Sequence, residues 1–473
     1  LMDGIDSSIN FTSNTPAIIS NTVNLSYNQL IGRASALSNY FIQKGISQNM
    51  RVGILAGNSV EFIFSILALW NMGAVPVPVN IRLTDSEICN LLDFAEIKFL
   101  VSDKDVTLPD KNLISTADFI NLNRAGYFNV DMNSSSPALI MFTSGSTGLP
   151  KAVVHSFDTL LSSVKISHSF FSFNSGEHWL ASLPFYHIGG FQIFMRAFLT
   201  GSAVIIPEEI KNEFLLEAMF QHRPAYASLV STQLKEFVDA GIKPVDSLKY
   251  VLLGGGFIPS ELLQRAKVNG WRTVKVYGST ETASLITALE NNEKINSAGR
   301  PLPSVEIKIL NDNGEQLEKN KIGEITVKSP SLFIGYFNND EEYKIKFKDN
   351  FYSTGDFGHL DEEGYLYVEA RRTDLIISGG ENISPFEVED ILLSYPGIAE
   401  AVVFQMEDNK WGHIPAAALV LTAKINADVL LTFLRERLAD FKVPRRFFYL
   451  EELPKTSLGK IEKEKVKQIC STL

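Results

Sequence analysis

The sequence predicts an α/β protein in two parts. A large N-terminal domain of layered α/β sheets ends in a β-rich subdomain, and a small α+β domain closes the chain. Three observations predict this. Apolar, β-branched runs alternate with segments of helical spacing through the first three-quarters of the chain, the pattern of largely parallel sheets covered by helices. From about residue 306 the pattern changes to short strands and turns. A fresh alternation begins after the charged segment Ala370-Arg-Arg-Thr-Asp374, which sets the domains at 1–370 and 371–473. With 473 residues the chain can fill both cores.

The elements follow in order. Residues 51–56 read as a buried strand, 61–71 have helical spacing, and 74–79 (Ala-Val-Pro-Val-Pro-Val) are strand-like again. A helix over 86–94 and a strand over 98–102 come next, and the alternation recurs at strands 203–206, 250–253 and 273–277. The β-rich subdomain takes 305–310, 323–328 and 364–368. Past the boundary, a Gly379-Gly380 turn precedes a helix over 385–395, strands over 399–405 and 416–421, and a helix over 427–439. The most apolar stretch, 60–79, holds Glu61, Asn71, Gly73, Pro76 and Pro78, so it reads as a helix and a buried strand, not a membrane span.

Composition narrows the function. Hydrophobic residues make up 45% and charged residues 21%, as in ordinary globular proteins. A net charge of -11 argues against a nucleic-acid or anionic-membrane binder, so any polyphosphate must be held by local donors. Cys89 and Cys470 lie far apart without metal-ligand spacing, which fits a reducing compartment, and the acidic N-terminus lacks the apolar core of a leader. A cytoplasmic location is expected. Oligomeric state stays open, a homodimer included.

Chemistry concentrates in a few segments. Thr143-Ser-Gly-Ser-Thr-Gly-Leu-Pro-Lys151 follows the apolar run 138–142 and combines two glycines, four hydroxyls and a lysine. Gly145 and Gly148 let backbone N–H groups approach phosphate oxygens, Thr143, Ser144, Ser146 and Thr147 donate further bonds, and Lys151 brings charge. It is not the common P-loop, because Ala152 follows the lysine. Tyr277-Gly-Ser-Thr-Glu-Thr282 follows a strand. There Gly278 permits a tight turn, Ser279 and Thr280 offer hydroxyls, and Glu281 is a hard oxygen ligand suited to Mg²⁺. Gly254, Gly255 and Gly256 end another strand, where a flat ring can lie against backbone. In Ser353-Thr-Gly-Asp356 the carboxylate of Asp356, set after a Gly turn, can accept both ribose hydroxyls. His187 sits in Leu183-Pro-Phe-Tyr-His-Ile-Gly-Gly190, and Lys455-Thr-Ser-Leu-Gly-Lys460 is a Gly-bearing loop whose bland reading is a solvated basic tail. Histidine spacing shows no zinc site, and no G-x-S-x-G elbow marks a serine hydrolase.

Taken in this order, the motifs resemble the adenylate-forming superfamily of acyl-CoA synthetases, aryl-CoA ligases, luciferases and peptide-synthetase adenylation domains, from about residue 25 to 460. The resemblance implies that a carboxylate attacks the α-phosphate of ATP, giving an acyl-adenylate and pyrophosphate, and that a thiol then displaces AMP. It places the 143–151 loop on the β- and γ-phosphates, Tyr277 on the adenine beside Gly254–Gly256, Thr280 on the α-phosphate and Glu281 on Mg²⁺. It places Asp356 on the ribose, with Arg371 nearby, and makes Lys460 the catalytic lysine. A mobile C-terminal domain is implied that presents Lys460 in one half-reaction and Ser378, Gly379 and Gly380 beside a CoA tunnel in the other. The family's hinge position holds Thr373 here instead of Asp or Lys.

Within the superfamily the chain looks most like the o-succinylbenzoate–CoA ligases of menaquinone biosynthesis, in segments 226–234, 252–262, 299–303 and 374–385. His187 is a candidate for both catalysis and the acid pocket. Arg196 lies in a pocket segment where some members carry an arginine, and it could pair the ring carboxylate that is not activated; a surface or interdomain salt bridge is the alternative role. The implied cosubstrates are ATP with Mg²⁺, CoA, and an aryl or acyl carboxylate. Rival readings are another aryl- or medium-chain acyl-CoA ligase, a stand-alone adenylation enzyme that loads a carrier protein, and a non-catalytic nucleotide binder. Retention of Lys151, Glu281, Asp356 and Lys460 argues against the last.

Overall fold

The computed structural model describes residues 13–473 except 107, 109, 123–127, 129, 131–133, 144–150, 291–293, 372, 373, 375, 379, 380, 409–411, 457 and 458; at 120, 121, 370, 371, 377, 381, 382 and 412 it describes the backbone alone. Four parallel strands, Val75–Pro78, Arg51–Leu55, Phe99–Ser102 and Asn112–Ser115, form one sheet in that spatial order. Pro76 and Pro78 are tolerated because their strand is at the edge of the sheet. A nine-stranded sheet has a parallel centre, including Tyr226–Leu229, Tyr250–Leu253 and Thr273–Ser279, and antiparallel strands at both ends. The β-rich part is a five-stranded antiparallel sheet built on Glu306–Leu310, Gly323–Lys328 and Phe351–Leu360.

Helix Val60–Asn71 shows why the most apolar stretch lies inside. Its Ser59 N-cap accepts from Phe62 N–H, Glu61 sits in the first turn, and ten of its twelve residues are buried. Trp70 donates its indole N–H to Ala138 O at 2.7 Å, which ties this helix to the strand Pro137–Thr143 that leads into the 144–150 loop. Among the described residues no helix is long and apolar enough to cross a membrane.

The C-terminal part has its own core. Helices Pro385–Leu393, Ala427–Arg435 and Lys463–Ser471 cover a sheet of Ile398–Asp408, Gly412–Leu421 and Arg446–Leu450. Its buried apolar residues, among them Ile376, Val388, Leu419, Leu434 and Val466, form clusters that contain no residue before 376. The sequence expectation for this part was incomplete. The helix expected over 427–439 ends at Arg435, and two elements without a sequence expectation follow, the strand Arg446–Leu450 and the final helix Lys463–Ser471, buried through Val466 and Cys470.

Candidate active site

The expected phosphate loop joins two strands of a hairpin, Pro137–Thr143 and Lys151–Ser156, in which Thr143 pairs with Lys151. The ends of the loop are therefore fixed by sheet register. Ser144, Gly145, Ser146, Thr147 and Gly148 lie outside the described residues. Lys151 Nζ forms an ion pair with Glu342 Oε1 and lies 5.6 Å from the Tyr336 ring centre. Tyr336 reaches it because the strand Gly335–Tyr336 pairs with the hairpin, Tyr336 opposite Val153.

Tyr277, Gly278 and Ser279 do not follow a strand but are themselves in the strand Thr273–Ser279, and the segment turns into the antiparallel strand Ser284–Glu290. Gly278 is required by proximity: a Cβ there would lie 1.9 Å from Ser284 O, beside a bulge between Tyr277 and Gly278. The turn is pinned from several sides. Thr282 Oγ1 donates to Ser284 O, Ser163 Oγ donates to Ala283 O, and Phe333 N–H donates to Glu281 O. His155, missed by sequence reasoning, is buried at 0% exposure and donates Nε2–H to Thr280 O at 2.8 Å, while Nδ1 faces Thr159 Oγ1 at 3.0 Å. Burial pushes its pKa down to about 4, so it is a neutral clamp between the hairpin and the turn. Glu281 Oε1 accepts from Tyr336 O–H at 3.1 Å, and burial together with this carboxylate raises the Tyr336 phenol. Among the described residues no group of three or more His, Cys, Asp or Glu could hold a metal ion. A cation at Glu281 would thus draw most of its oxygens from phosphate and water, the habit of Mg²⁺.

Tyr277 O–H donates to Asp356 Oδ2 at 2.7 Å, joining the two residues expected at adenine and ribose. Asp356 does not follow a turn. It lies inside the ten-residue strand Phe351–Leu360, where Gly355 at φ +77° and a register shift push the backbone out. Arg371 pairs with Asp356 across the neighbouring strand. Gly254 and Gly256 end the strand Tyr250–Leu253 with Gly255 at φ +84°, and a Cβ on Gly254 would lie 2.9 Å from Val276 Cγ2.

His187 caps the N-terminus of helix Ile188–Thr200 without a side-chain capping bond, its ring centre 4.8 Å from that of Tyr186. Burial and the charge of Arg82 hold its pKa at about 4, so the imidazole is neutral, and its buried Nε2 has no hydrogen-bond partner among the described residues. Asn58, a second residue that the motifs missed, holds this corner. Its amide donates to Ala181 O and Leu183 O and accepts from Phe185 N–H. Arg196, on the same helix, is 1% exposed. Among the described residues it forms no salt bridge, and its burial argues against a surface one. Its guanidinium donates to Ser167 Oγ at 3.3 Å and Ser284 Oγ at 3.2 Å and lies 5.6 Å from the Trp179 ring centre. Burial lowers its pKa to about 9, which leaves it charged at neutral pH.

Lys460 is exposed at the end of a loop closed by Thr456 N–H to Lys460 O at 2.7 Å and by the bridge Lys455–Ile461. Gly459, at φ +72°, is packed against the large domain: a Cβ there would lie 2.7 Å from Thr232 Oγ1. A cavity of about 690 Å³ opens here, lined by Gly459, Thr232, Tyr186, Pro184, Asn58 and Arg82 among others. Ser378 is buried in the hairpin Ile376–Ser378 with Glu381–Ile383 and does not line this cavity; Gly379, Gly380 and Thr373 lie outside the described residues.

Residues 5–337 match the family model of AMP-binding enzymes, and residues 387–460 match that of the AMP-binding enzyme C-terminal domain. The chain is 36% identical over 436 residues to a 2-succinylbenzoate–CoA ligase of Bacillus cereus strain Q1, covering 91% of this chain and 90% of that one. Among solved structures, it is similar to the o-succinylbenzoate CoA synthetase of Bacillus subtilis in complex with the acyl-adenylate intermediate, at 32% identity and a TM-score of 0.89 over 96% of this chain and 95% of that one. The same enzyme with ATP and magnesium ion also gives 0.89 at 32% identity, covering 96% of this chain and 97% of that one. A double mutant bound to a product analogue gives 0.74 at the same identity, with 96% of each chain covered.

Proposed function

The chain belongs to the family of AMP-binding enzymes, and from that premise we propose that it is an AMP-forming carboxylate–CoA ligase that converts o-succinylbenzoate, ATP and CoA to o-succinylbenzoyl-CoA, AMP and pyrophosphate. One observation carries the placement of ATP. Side chains from motifs far apart in sequence form a connected row, with Lys151 over Tyr336, Tyr336 on Glu281, and Tyr277 on Asp356 four residues before that glutamate. This order supports a nucleoside triphosphate bound with its γ-phosphate toward Lys151 and its ribose toward Asp356.

In the first half-reaction an oxygen of the succinyl carboxylate attacks the α-phosphorus, the bond to the β-phosphate breaks, and pyrophosphate leaves. Lys151 faces the departing phosphates, and Thr280 donates to the α-phosphate from a turn held by His155. Glu281 would hold Mg²⁺, which would supply charge neutralisation at the phosphates. Lys460 bridges carboxylate and α-phosphate as charge builds between them. Tyr277 covers the adenine with Gly254–Gly256 beside it, and Asp356 with Arg371 holds the ribose. Neutral His187 borders the acid, and Arg196 faces its ring carboxylate from the helix that His187 starts. In the second half-reaction the thiol sulfur attacks the acyl carbon and AMP leaves. Domains 1–370 and 371–473 pivot near Thr373 for this step, so that the 378–380 segment replaces Lys460. Their separate cores support such a pivot. The close fit of Gly459 on Thr232 supports assigning the present arrangement to adenylation.

Pyrophosphate release measured with Mg·ATP and CoA across a panel of acids tests the reading. o-Succinylbenzoate should exceed benzoates and medium-chain fatty acids in kcat/KM, with the thioester of CoA as product. Equal or better turnover of a simple benzoate or fatty acid would overturn the substrate. Transfer to a carrier protein but not to CoA would overturn the acceptor.

A further inference from the structure

Lys151 has a carboxylate partner that neither the phosphate-loop motif nor the reaction requires. Glu342 lies in the first turn of helix Asp340–Lys346. Its position is fixed by the N-cap Asn339, whose Oδ1 accepts from Glu342 N–H at 3.2 Å and whose Nδ2 donates to Glu342 Oε2 at 3.0 Å. The other oxygen, Oε1, takes Lys151 Nζ. Both side chains are partly covered, 22% exposed for Lys151 and 27% for Glu342, so the pair is less screened than a surface one. Asn339 follows the strand Gly335–Tyr336, which pairs with the hairpin carrying Lys151, so the glutamate and the lysine are delivered by adjoining backbone. Two carboxylates thus flank one tyrosine: Glu281 on its hydroxyl and Glu342 on the ammonium over its ring.

We infer that Glu342 occupies Lys151 between turnovers as an internal stand-in for phosphate, so that the β- and γ-phosphates of ATP must displace it and it reclaims the lysine when pyrophosphate leaves. This rests on the placement of Lys151 at those phosphates. An ammonium on a flexible stem exchanges one oxyanion for another without moving the backbone. The affinity for any ligand that needs Lys151 is reduced by the fraction of molecules in which Glu342 holds it. The same carboxylate repels the product's charge and therefore favours its release.

Calorimetric dissociation constants separate the contributions. The ligands are magnesium pyrophosphate, an ATP analogue with a methylene bridge between the α- and β-phosphates, and AMP, which has no group for Lys151. Glu342→Gln keeps the shape and the Asn339 contact while removing the charge. It should tighten pyrophosphate and the analogue by roughly three- to tenfold, the effect of one partly covered ion pair, and leave AMP unchanged. Glu342→Ala should act in the same direction. In a Lys151→Ala background the Glu342 substitution should have no effect on any of the three. Unchanged or weaker pyrophosphate binding in both Glu342 variants overturns the inference. If Lys151→Ala itself leaves pyrophosphate and the analogue unaffected, the phosphate placement of Lys151 has failed instead.

Discussion

Arg196 lies almost wholly inside the protein, and its guanidinium meets two hydroxyls and an indole without a carboxylate partner among the described residues. A buried charge of this kind gains from an anionic ligand. Arg196→Leu should lower kcat/KM for o-succinylbenzoate by a factor corresponding to about 2–4 kcal/mol, with the KM for ATP unchanged and an analogue lacking the ring carboxylate spared. Equal loss with both acids would make the arginine structural, acting through Ser284 at the end of the turn that carries Glu281. His155 makes a different prediction. Its folded pKa of about 4 lies below the 6.5 of an unfolded histidine, so the stability it contributes is complete above pH 6.5 and is lost as pH falls toward 4. In urea unfolding over that range, His155→Gln should lose less stability than wild type, by up to roughly 3 kcal/mol; parallel pH profiles would contradict this. The motif residues were legible because their types announce phosphate, ribose and metal chemistry. His155, Asn58, Tyr336 and Glu342 were not, because each acts through a partner 55 or more residues away.

Strands and helices of the parallel sheets were legible from apolar period alone, as at 51–56, 61–71 and 250–253, where burial leaves little choice of residue. The final strand and helix were not, since Arg446–Leu450 and Lys463–Ser471 are short and carry charge on their outer faces. The bends at functional positions were misread for a related reason. Gly355 and Gly278 look like turn residues in sequence, yet both lie within strands, where they permit a bulge or a close crossing. Gly278→Ala tests the crossing. The added Cβ would strike a backbone carbonyl, which cannot rotate away, so about 1–3 kcal/mol of stability should be lost, read as a lower Tm. The KM for Mg·ATP should rise as well, because Thr280 and Glu281 are on the displaced turn. A variant with unchanged Tm and unchanged KM would show that the turn tolerates the shift.

At the scale of the whole molecule, the contacts between the two parts among the described residues include Phe257 stacked on Phe386 at 5.3 Å, Ser260 N–H donating to Asp390 Oδ1 at 2.9 Å, and Gly459 packed on Thr232. Contacts of this kind can be broken without disturbing either core. Lys460→Ala should therefore reduce formation of the acyl-adenylate by ~10²–10³ while leaving the attack of CoA on supplied adenylate largely intact. Equal loss in both half-reactions would exclude alternation of this residue between them. The charged segment that interrupts the apolar pattern suggested a boundary in the sequence, but not how the parts meet, since Phe257, Ser260 and Thr232 carry no signature of a contact. The central claim, that the enzyme activates o-succinylbenzoate by joining its carboxylate to AMP, is tested most directly with acid labelled with oxygen-18 in the succinyl carboxylate. After turnover with ATP, Mg²⁺ and CoA, mass spectrometry should find one labelled oxygen in AMP and none in pyrophosphate. Label in inorganic phosphate with ADP as coproduct, or AMP free of label, would contradict the account.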